Sequence, residues 1–297
     1  MSFATGLKTI VVATDLQGQS EAALEYARKL AVNYGARIVL AHGADPLEYA
    51  AIEGLPGQIE SALAADARAA LDKLTGDLLC EGIPSHTEVR QGAVVQMLVD
   101  VARQYEAGLI VVGTKGMQGA GPVVVGAIAE QLVRLAPCPV LAVAADWNAG
   151  QFRPTPGGPV LLAMEQNEAA AEAVATAHSL AQVFKRPLIV IHARTAADAA
   201  CDSCAAKLEE FGVFASETVP VTCIGESGNP VDTVVGAIAQ YHPSILVAGV
   251  KRTSETPGPH GTAFALLARS RVPVLCVPPA ADSSRVRTEM AALLEAV

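Results

Sequence analysis

Residues 8–15 read KTIVVATD, and residues 159–165, near the middle of the chain, read PVLLAME. Both are short runs of mostly branched apolar residues that end in an acid, and the two acids, Asp15 and Glu165, stand 150 positions apart. A run of this length and composition predicts a buried β-strand. Because the same pattern occurs twice, we interpret the chain as containing an internal repeat, which would decide its fold.

Further pairs of segments support the repeat, and they occur in the same order in both halves of the chain. They are IVLAH at 38–42 with LIVIH at 188–192 (offset 150), QYEAGLIVVG at 104–113 with QYHPSILVAG at 240–249 (offset 136), and Pro139 of PCPVLAV with Pro273 of VPVLCV (offset 134). Ordered matches whose offset changes so little indicate two diverged copies of one unit.

In each copy, strand-length apolar runs alternate with helix-length segments rich in Ala, Leu, Glu, Lys and Arg. This alternation predicts an α/β fold, with a parallel sheet covered by helices on both faces. We predict strands at 8–14, 37–43, 86–90, 109–113 and 139–144 and at 159–164, 188–193, 218–224, 245–250 and 273–277, and helices in the first copy at about 19–34, 57–81, 93–106 and 123–136.

The domain organisation follows from the repeat. We predict two five-stranded domains in tandem, at 1–146 and 159–297, joined by a Pro- and Gly-rich linker at 147–158. The last residues, 285–297, are polar and have helical periodicity, so we expect a C-terminal helix there.

Composition excludes several classes of partner. The chain is 51% hydrophobic and 4% aromatic, with a formal net charge of −9. It has no cluster of Lys and Arg of the kind that neutralises phosphates along a nucleic acid or an anionic membrane. No apolar run reaches the ~20 residues of a membrane span, and no secretion signal is apparent. We therefore expect a soluble, cytoplasmic protein without nucleic-acid or membrane partners.

The loop after the fourth strand of the first copy, residues 113–126, reads GTKGMQGAGPVVVG. In an open parallel sheet such a loop lies where ligands bind. Glycines let backbone N–H groups approach an anion, and a helix that starts near Val123 would add its positive end. With Lys115 as its one cation, the loop is predicted to hold phosphate.

The glycine spacing, the first strand ending in Asp15 and the PCPVL of the last strand together resemble the universal stress protein family, across both copies. The resemblance implies Rossmann-like domains of the adenine nucleotide alpha hydrolase-like type, an ATP ligand, alone or with Mg²⁺, and a regulatory role in the stress response. It also implies an intrachain pseudo-dimer through the last strands and a homodimer of chains. The residues that it implies for the nucleotide are Ala13, Thr14, Asp15 and Gly43 beside adenine, and Gly113, Thr114, Lys115, Gly116, Gly126, Ala127 and Ile128 around the phosphates and ribose.

This chain departs from the family pattern in both copies. Ala127 stands where the family has Ser or Thr, which predicts weaker phosphate binding, and Gly43 replaces a larger apolar residue, which predicts a looser adenine wall. In the second copy Arg252 takes the place of the second glycine, and two prolines stiffen the loop before Gly261. We therefore expect ATP in the first copy, while the basic second loop could hold an anion of another kind.

Simpler interpretations stand beside these. Asp15 could only cap the first helix, Lys115 could be a solvated loop charge, and His42 and His192 are expected to be packed or hydrogen-bonded rather than functional. Cys201 and Cys204 have the CxxC spacing of redox and zinc sites, but no second motif accompanies them, so a chance pair is favoured.

No nucleophile with a matching general base is apparent in the sequence, and there is no Walker lysine motif. We therefore predict no catalytic residues, no metal ligands and at most very slow ATP hydrolysis. The alternative to a nucleotide-binding regulator is an interaction scaffold of the same fold that binds no nucleotide.

Overall fold

The structure is a computed structural model, and it describes residues 6–16, 18, 20–44, 56–114, 126–145, 157–165, 169–194, 208–213, 216, 218–250 and 261–280. The first half contains β1 (Thr9–Ala13), α1 (Glu21–Tyr34), β2 (Arg37–Ala44), α2 (Pro56–Cys80), β3 (Ser85–Gln91), α3 (Val94–Gln104), β4 (Leu109–Thr114), α4 (Ala127–Leu135) and β5 (Val140–Ala144). The second half contains β6 (Val160–Ala163), α5 (Ala170–Phe184), β7 (Leu188–Arg194), β8 (Val221–Ser227), α6 (Pro230–Tyr241), β9 (Ile245–Gly249), α7 (Thr262–Arg269) and β10 (Val274–Val277).

The ten strands form one sheet in the order β3-β2-β1-β4-β5-β10-β9-β6-β7-β8. Each half has the same internal order, and within each half the neighbouring strands are parallel. The halves join through β5 and β10, which pair antiparallel with Leu141 opposite Leu275. The α/β fold and the pairing of the last strands agree with the sequence predictions.

The inner strands are buried on both faces, which explains why they are largely continuous apolar runs, whereas the edge strands β3 and β8 are more polar and partly exposed. Successive side chains of β1 alternate between two hydrophobic clusters, with Ile10 and Val12 in one and Val11 in the other. The first cluster packs under α1, α2 and α5, and the second packs under α3, α4, α6 and α7. The helices therefore flank the sheet on two sides and leave the ends of the strands as the places where a ligand can reach the backbone.

The repeat extends to the way equivalent helices end. α1 ends at Gly35, whose φ of 64° is left-handed and whose N–H donates to the carbonyl of Ala31. At the equivalent position, α5 ends at Lys185, which adopts the same left-handed conformation with φ of 51°. The left-handed conformation at the end of the helix is thus kept in both halves. Only the first half has a glycine there, which adopts this conformation without strain.

Two predicted elements were placed wrongly. The predicted strand at 218–224 lies three residues later, at Val221–Ser227, because it begins after Pro220, which has no N–H to donate to the ladder. The helix expected from Val123 begins at Ala127, and Gly126 before it is extended with φ −65° and ψ 146°. A residue with this extended backbone cannot lie inside a helix, so α4 starts after Gly126.

Some predictions fall outside the described residues. These are the linker at 147–158, apart from Gly157 and Gly158, and the C-terminal helix at 285–297. Among the helices that the structure describes, none combines the length and the apolar character that crossing a bilayer requires.

Candidate functional site

The candidate site lies at the carboxyl ends of β1 and β4. These two strands are neighbours in the sheet, and the chain leaves β1 toward β2 on one side and β4 toward β5 on the other. This is the point where the strand order reverses, and it is where ligands bind in open α/β sheets. Val12 of β1 is paired with Val111 of β4, so Ala13 and Thr14 lie at the same edge of the sheet as Gly113 and Thr114, the last residues of β4.

The turn after β1 is held by hydrogen bonds between its side chains. The Ser20 hydroxyl donates to Oδ1 of Asp15 at 2.7 Å, and its Oγ lies 3.0 Å from Oγ1 of Thr14. The Leu16 N–H donates to the same Thr14 oxygen at 3.1 Å. Leu16 is left-handed with φ of 57°, which costs a non-glycine residue about 1–2 kcal/mol, so the surrounding turn must impose it. Asp15 itself is exposed and does not occupy the N-cap position of α1, which belongs to Ser20.

The N-terminus of α4 forms the other side of the site. The first N–H groups of a helix have no partner within the helix and carry its positive end, so they favour an anion. Gly126 at the N-cap has an ordinary φ, and a Cβ placed on it would meet no described atom within 4 Å. Neither backbone strain nor packing against the described residues therefore requires glycine at this position. The next two residues, Ala127 and Ile128, are exposed, and Ile128 is 40% accessible despite being apolar.

Side chains of the neighbouring helix α3 lie closer to Gly43 than the sequence indicates. A Cβ on Gly43 would stand 3.0 Å from Cε of Met97 and 3.0 Å from Cγ2 of Val94, both on α3. The space that a larger β2 side chain would fill is thus already occupied from the neighbouring helix. The expectation of a looser wall was wrong, because the sequence pattern of β2 carries no information on what α3 places there.

His42 and His192 have structural roles, as expected. Nδ1 of His42 lies 2.8 Å from the carbonyl oxygen of Thr14, and Nδ1 of His192 lies 3.2 Å from that of Met164. Both contacts join the second strand of a half to the residue just after its first strand. Each histidine therefore fixes the position of the turn that leaves the first strand.

The equivalent place in the second half is apolar. Positions 14, 20 and 114 of the first half carry hydroxyls, whereas the matching positions carry Met164, Ala170 and Val250. A narrow crevice lies here, lined by Leu162, Ala163, Met164, Glu165, Ala170, Ala173, Val174 and Gly249. Glu165 is the one ionisable residue among the described residues that line it, so the described lining of this crevice differs in chemistry from the first-half site.

Several predicted features lie outside the described residues. Lys115 and Gly116 are among them, as are the basic residues of the second loop and the Cys201–Cys204 pair. Cys138 and Cys276 are buried in the core as expected, and burial raises the pKa of Cys276 to about 12. The described residues contain no group of three or more His, Cys, Asp or Glu side chains arranged to hold a metal.

A polar cluster outside the site lies along the edge strand β3. The Tyr105 hydroxyl donates to Glu88 at 2.6 Å, and Nε of Arg90 donates to the other carboxylate oxygen at 3.1 Å. Partial burial tends to raise the pKa of Glu88, but these two hydrogen bonds outweigh it and hold the pKa below its usual value. Burial and the bond to Glu88 raise the pKa of Tyr105 to about 12. The cluster satisfies its own charges and places polar groups on an edge strand, a position that charged side chains protect.

Comparison with known proteins agrees with this geometry. Residues 6–144 match the model of the universal stress protein family. A universal stress protein of Methanocaldococcus jannaschii is 30% identical over 141 residues, which are 46% of this chain and 81% of that protein. The chain belongs to the universal stress protein family.

Other relatives of the family extend the comparison beyond the first half. A universal stress protein of Mycolicibacterium smegmatis is 31% identical over 193 residues, which cover 62% of this chain and 63% of that protein. The crystal structure of a universal stress protein from Archaeoglobus fulgidus superposes with a TM-score of 0.76, at 18% identity, over 91% of this chain and 98% of that one. That likeness shows that the whole two-half fold, and not only the first half, is a universal stress protein architecture.

The site contains residues that the sequence pattern did not single out. Ser20, which falls inside the predicted helix at about 19–34, stands immediately before the helix and contacts Asp15. Val94 and Met97 supply the wall beside Gly43. Only Ser20 had a signal in the sequence, because the repeat has Ala170 at the matching position.

Proposed function

We propose that this protein binds ATP at the carboxyl ends of β1 and β4 and acts as a nucleotide-dependent regulator of the stress response. The observation that carries the proposal is Gly126. No described residue requires a glycine there, and among the described atoms its absent side chain leaves open space directly before the exposed N-terminus of α4. A glycine in such a place is explained by a ligand that approaches the backbone.

The proposal assigns the nucleotide to the first half. The turn after β1 offers the Asp15 carboxylate, which can accept from the hydroxyl and amino groups of a nucleoside, and α4 offers N–H groups for its phosphates. The second-half crevice is lined mainly by aliphatic groups at the matching positions. Mg²⁺ would enter with the phosphates, since it usually keeps several waters and few protein ligands.

The affinity is proposed to be moderate. Ala127 offers a backbone N–H to phosphate but lacks the hydroxyl of the family pattern. One hydrogen bond contributes about 1 kcal/mol, which corresponds to a several-fold change in the dissociation constant.

The proposal is tested on the purified chain. Protein isolated from cells and then denatured is expected to release adenine nucleotide, and stripped protein is expected to give saturable heat when titrated with ATP. GTP serves as the control for base selectivity and should bind more weakly. Protein that carries no nucleotide and gives no heat at millimolar ATP would refute the function.

Binding without efficient turnover is part of the proposal. Activating a water molecule for hydrolysis requires a positioned general base, and no residue in the sequence is assigned to that role. Phosphate release, followed during the same titrations, is expected to stay far slower than nucleotide exchange. Fast release would mean that a base exists among the site residues.

A scaffold that binds no nucleotide is the second candidate, and the missing hydroxyl at Ala127 favours it. The two candidates differ in what the loop glycines do, because a scaffold keeps its function when they are made bulky. Association of two chains, which would have to use a surface other than β5 and β10, and a cytoplasmic location are also proposed. Light scattering and cell fractionation test these two points.

A further inference from the structure

The geometry points to Ser20 as the residue that positions the Asp15 carboxylate for the nucleotide. This inference rests on the proposed function and adds a residue with a defined role to that site. Ser20 does not touch the ligand in this account. It acts through Asp15 and is therefore a positioning residue.

Ser20 stands where a helix cap is expected but does not act as one. It occupies the N-cap position of α1, where serine is favoured because its oxygen accepts from the backbone of the first turn. Its backbone is helical instead, with φ −89° and ψ −9°, and its side chain makes no capping hydrogen bond. The residue is only 8% exposed, so its buried hydroxyl is committed to the turn that follows β1.

The hydroxyls of Thr14 and Ser20 form a series of hydrogen bonds in which every donor points the same way. A hydroxyl has one proton to donate, and that of Ser20 goes to Oδ1 of Asp15. The 3.0 Å contact between Ser20 Oγ and Thr14 Oγ1 must then be donated by Thr14. Thr14 Oγ1 in turn accepts from the Leu16 N–H. These hydrogen bonds run from the Leu16 N–H through Thr14 and Ser20 to the exposed Asp15 carboxylate. A hydrogen bond to an ionised acceptor is a strong one.

The second half shows that the fold does not need this chain of hydrogen bonds. Met164 and Ala170 replace Thr14 and Ser20 there, yet β6 and α5 form with the same relation as β1 and α1. The His192 contact to the first strand is also kept without it. Since the strand and the helix on either side form without both hydroxyls, the presence of the hydroxyls in the first half is explained by the orientation of Asp15.

The first arm of the test uses ligand-free protein. NMR couplings that report χ1 of Asp15 are expected to show one dominant rotamer in the wild type and averaging in Ser20→Ala, while Ser20→Thr keeps the hydroxyl and restores the single rotamer. Ser85→Ala is the matched control, because it removes a hydroxyl that donates to the backbone carbonyl of Thr75 at the amino end of the edge strand β3, two strands away from β1. An unchanged rotamer in Ser20→Ala would overturn the inference, whatever the protein binds.

The second arm is a double-mutant cycle on ATP binding. We expect Ser20→Ala to weaken ATP about three- to tenfold and Ser20→Thr to recover most of that loss. In an Asp15→Ala background, Ser20→Ala is expected to change nothing further, because there is no carboxylate left to position. Equal effects of Ser20→Ala in both backgrounds would contradict the inference. A wild type that binds no ATP refutes the proposed function alone, since the rotamer result stands independently.

Discussion

Replacing Gly126 by Val is expected to weaken ATP binding by more than tenfold while the protein still folds. The backbone of Gly126 has φ −65° and ψ 146°, which valine adopts readily, and no described atom lies where its Cβ would stand. The added side chain would fill the space through which phosphate reaches the N-terminus of α4. Calorimetric titration with ATP and a thermal unfolding curve measure the two effects.

A graded series and a matched control separate blocking from unfolding. Gly126→Ala adds one carbon, so its affinity for ATP should lie between those of the wild type and Gly126→Val. Gly236→Val adds the same side chain at an exposed, open position on α6 and should leave ATP affinity unchanged. If Gly126→Val binds ATP like the wild type, the ligand does not approach this backbone, and the proposed site is wrong.

Leu141→Ala is expected to lower the free energy of unfolding by about 2–5 kcal/mol, the usual range for deleting a buried leucine. Leu141 is fully buried in β5, opposite Leu275 of β10. This pair lies where the two halves join into one sheet, so the loss should destabilise the whole chain. Urea unfolding, followed by the fluorescence of the single tryptophan, Trp147, and by circular dichroism, is expected to show one coincident transition.

Leu79→Ala provides the control for the same substitution on the surface. Leu79 on α2 is 56% exposed, so its replacement should change the free energy of unfolding by no more than about 0.5 kcal/mol. Two separate transitions in the wild type, or an equal cost for both variants, would mean that the β5–β10 pairing does not hold the halves together.

Much of the fold was predictable because the decisive signal was repeated. Strands buried on both faces leave continuous apolar runs in the sequence, and two copies of the same order make chance an unlikely source. The misplaced elements are those whose boundaries depend on the backbone rather than on hydrophobicity. β8 continues through Glu226 and Ser227 because β7 offers partners for their backbone, which no side-chain pattern reveals.

The candidate site was predictable only in part, for a related reason. Asp15 and Gly126 stand at strand and helix ends that the pattern locates. The wall beside Gly43 comes from Val94 and Met97, which are distant in the sequence and meet β2 only when α3 packs on the sheet. Ser20 was hidden because the predicted helix at about 19–34 included it, whereas the helix begins one residue after it. Comparing it with Ala170 would have exposed the difference between the halves.

The chemical difference between the two halves bears directly on the proposed function. The halves share strand order, helix ends and the histidine contact, so their architecture is the same. They differ at the carboxyl ends of their inner strands, where one is hydroxyl-rich and the other aliphatic. The proposed assignment of the nucleotide to the first half rests on this difference.

The number of ATP molecules bound per chain tests this asymmetry most directly. Titration of stripped protein with ATP at a concentration well above the dissociation constant is expected to saturate at one nucleotide per 297-residue chain. Asp15→Ala should weaken that single event, and Glu165→Ala should leave it unchanged. Saturation at two nucleotides per chain, or a loss of binding in Glu165→Ala rather than in Asp15→Ala, would contradict the account.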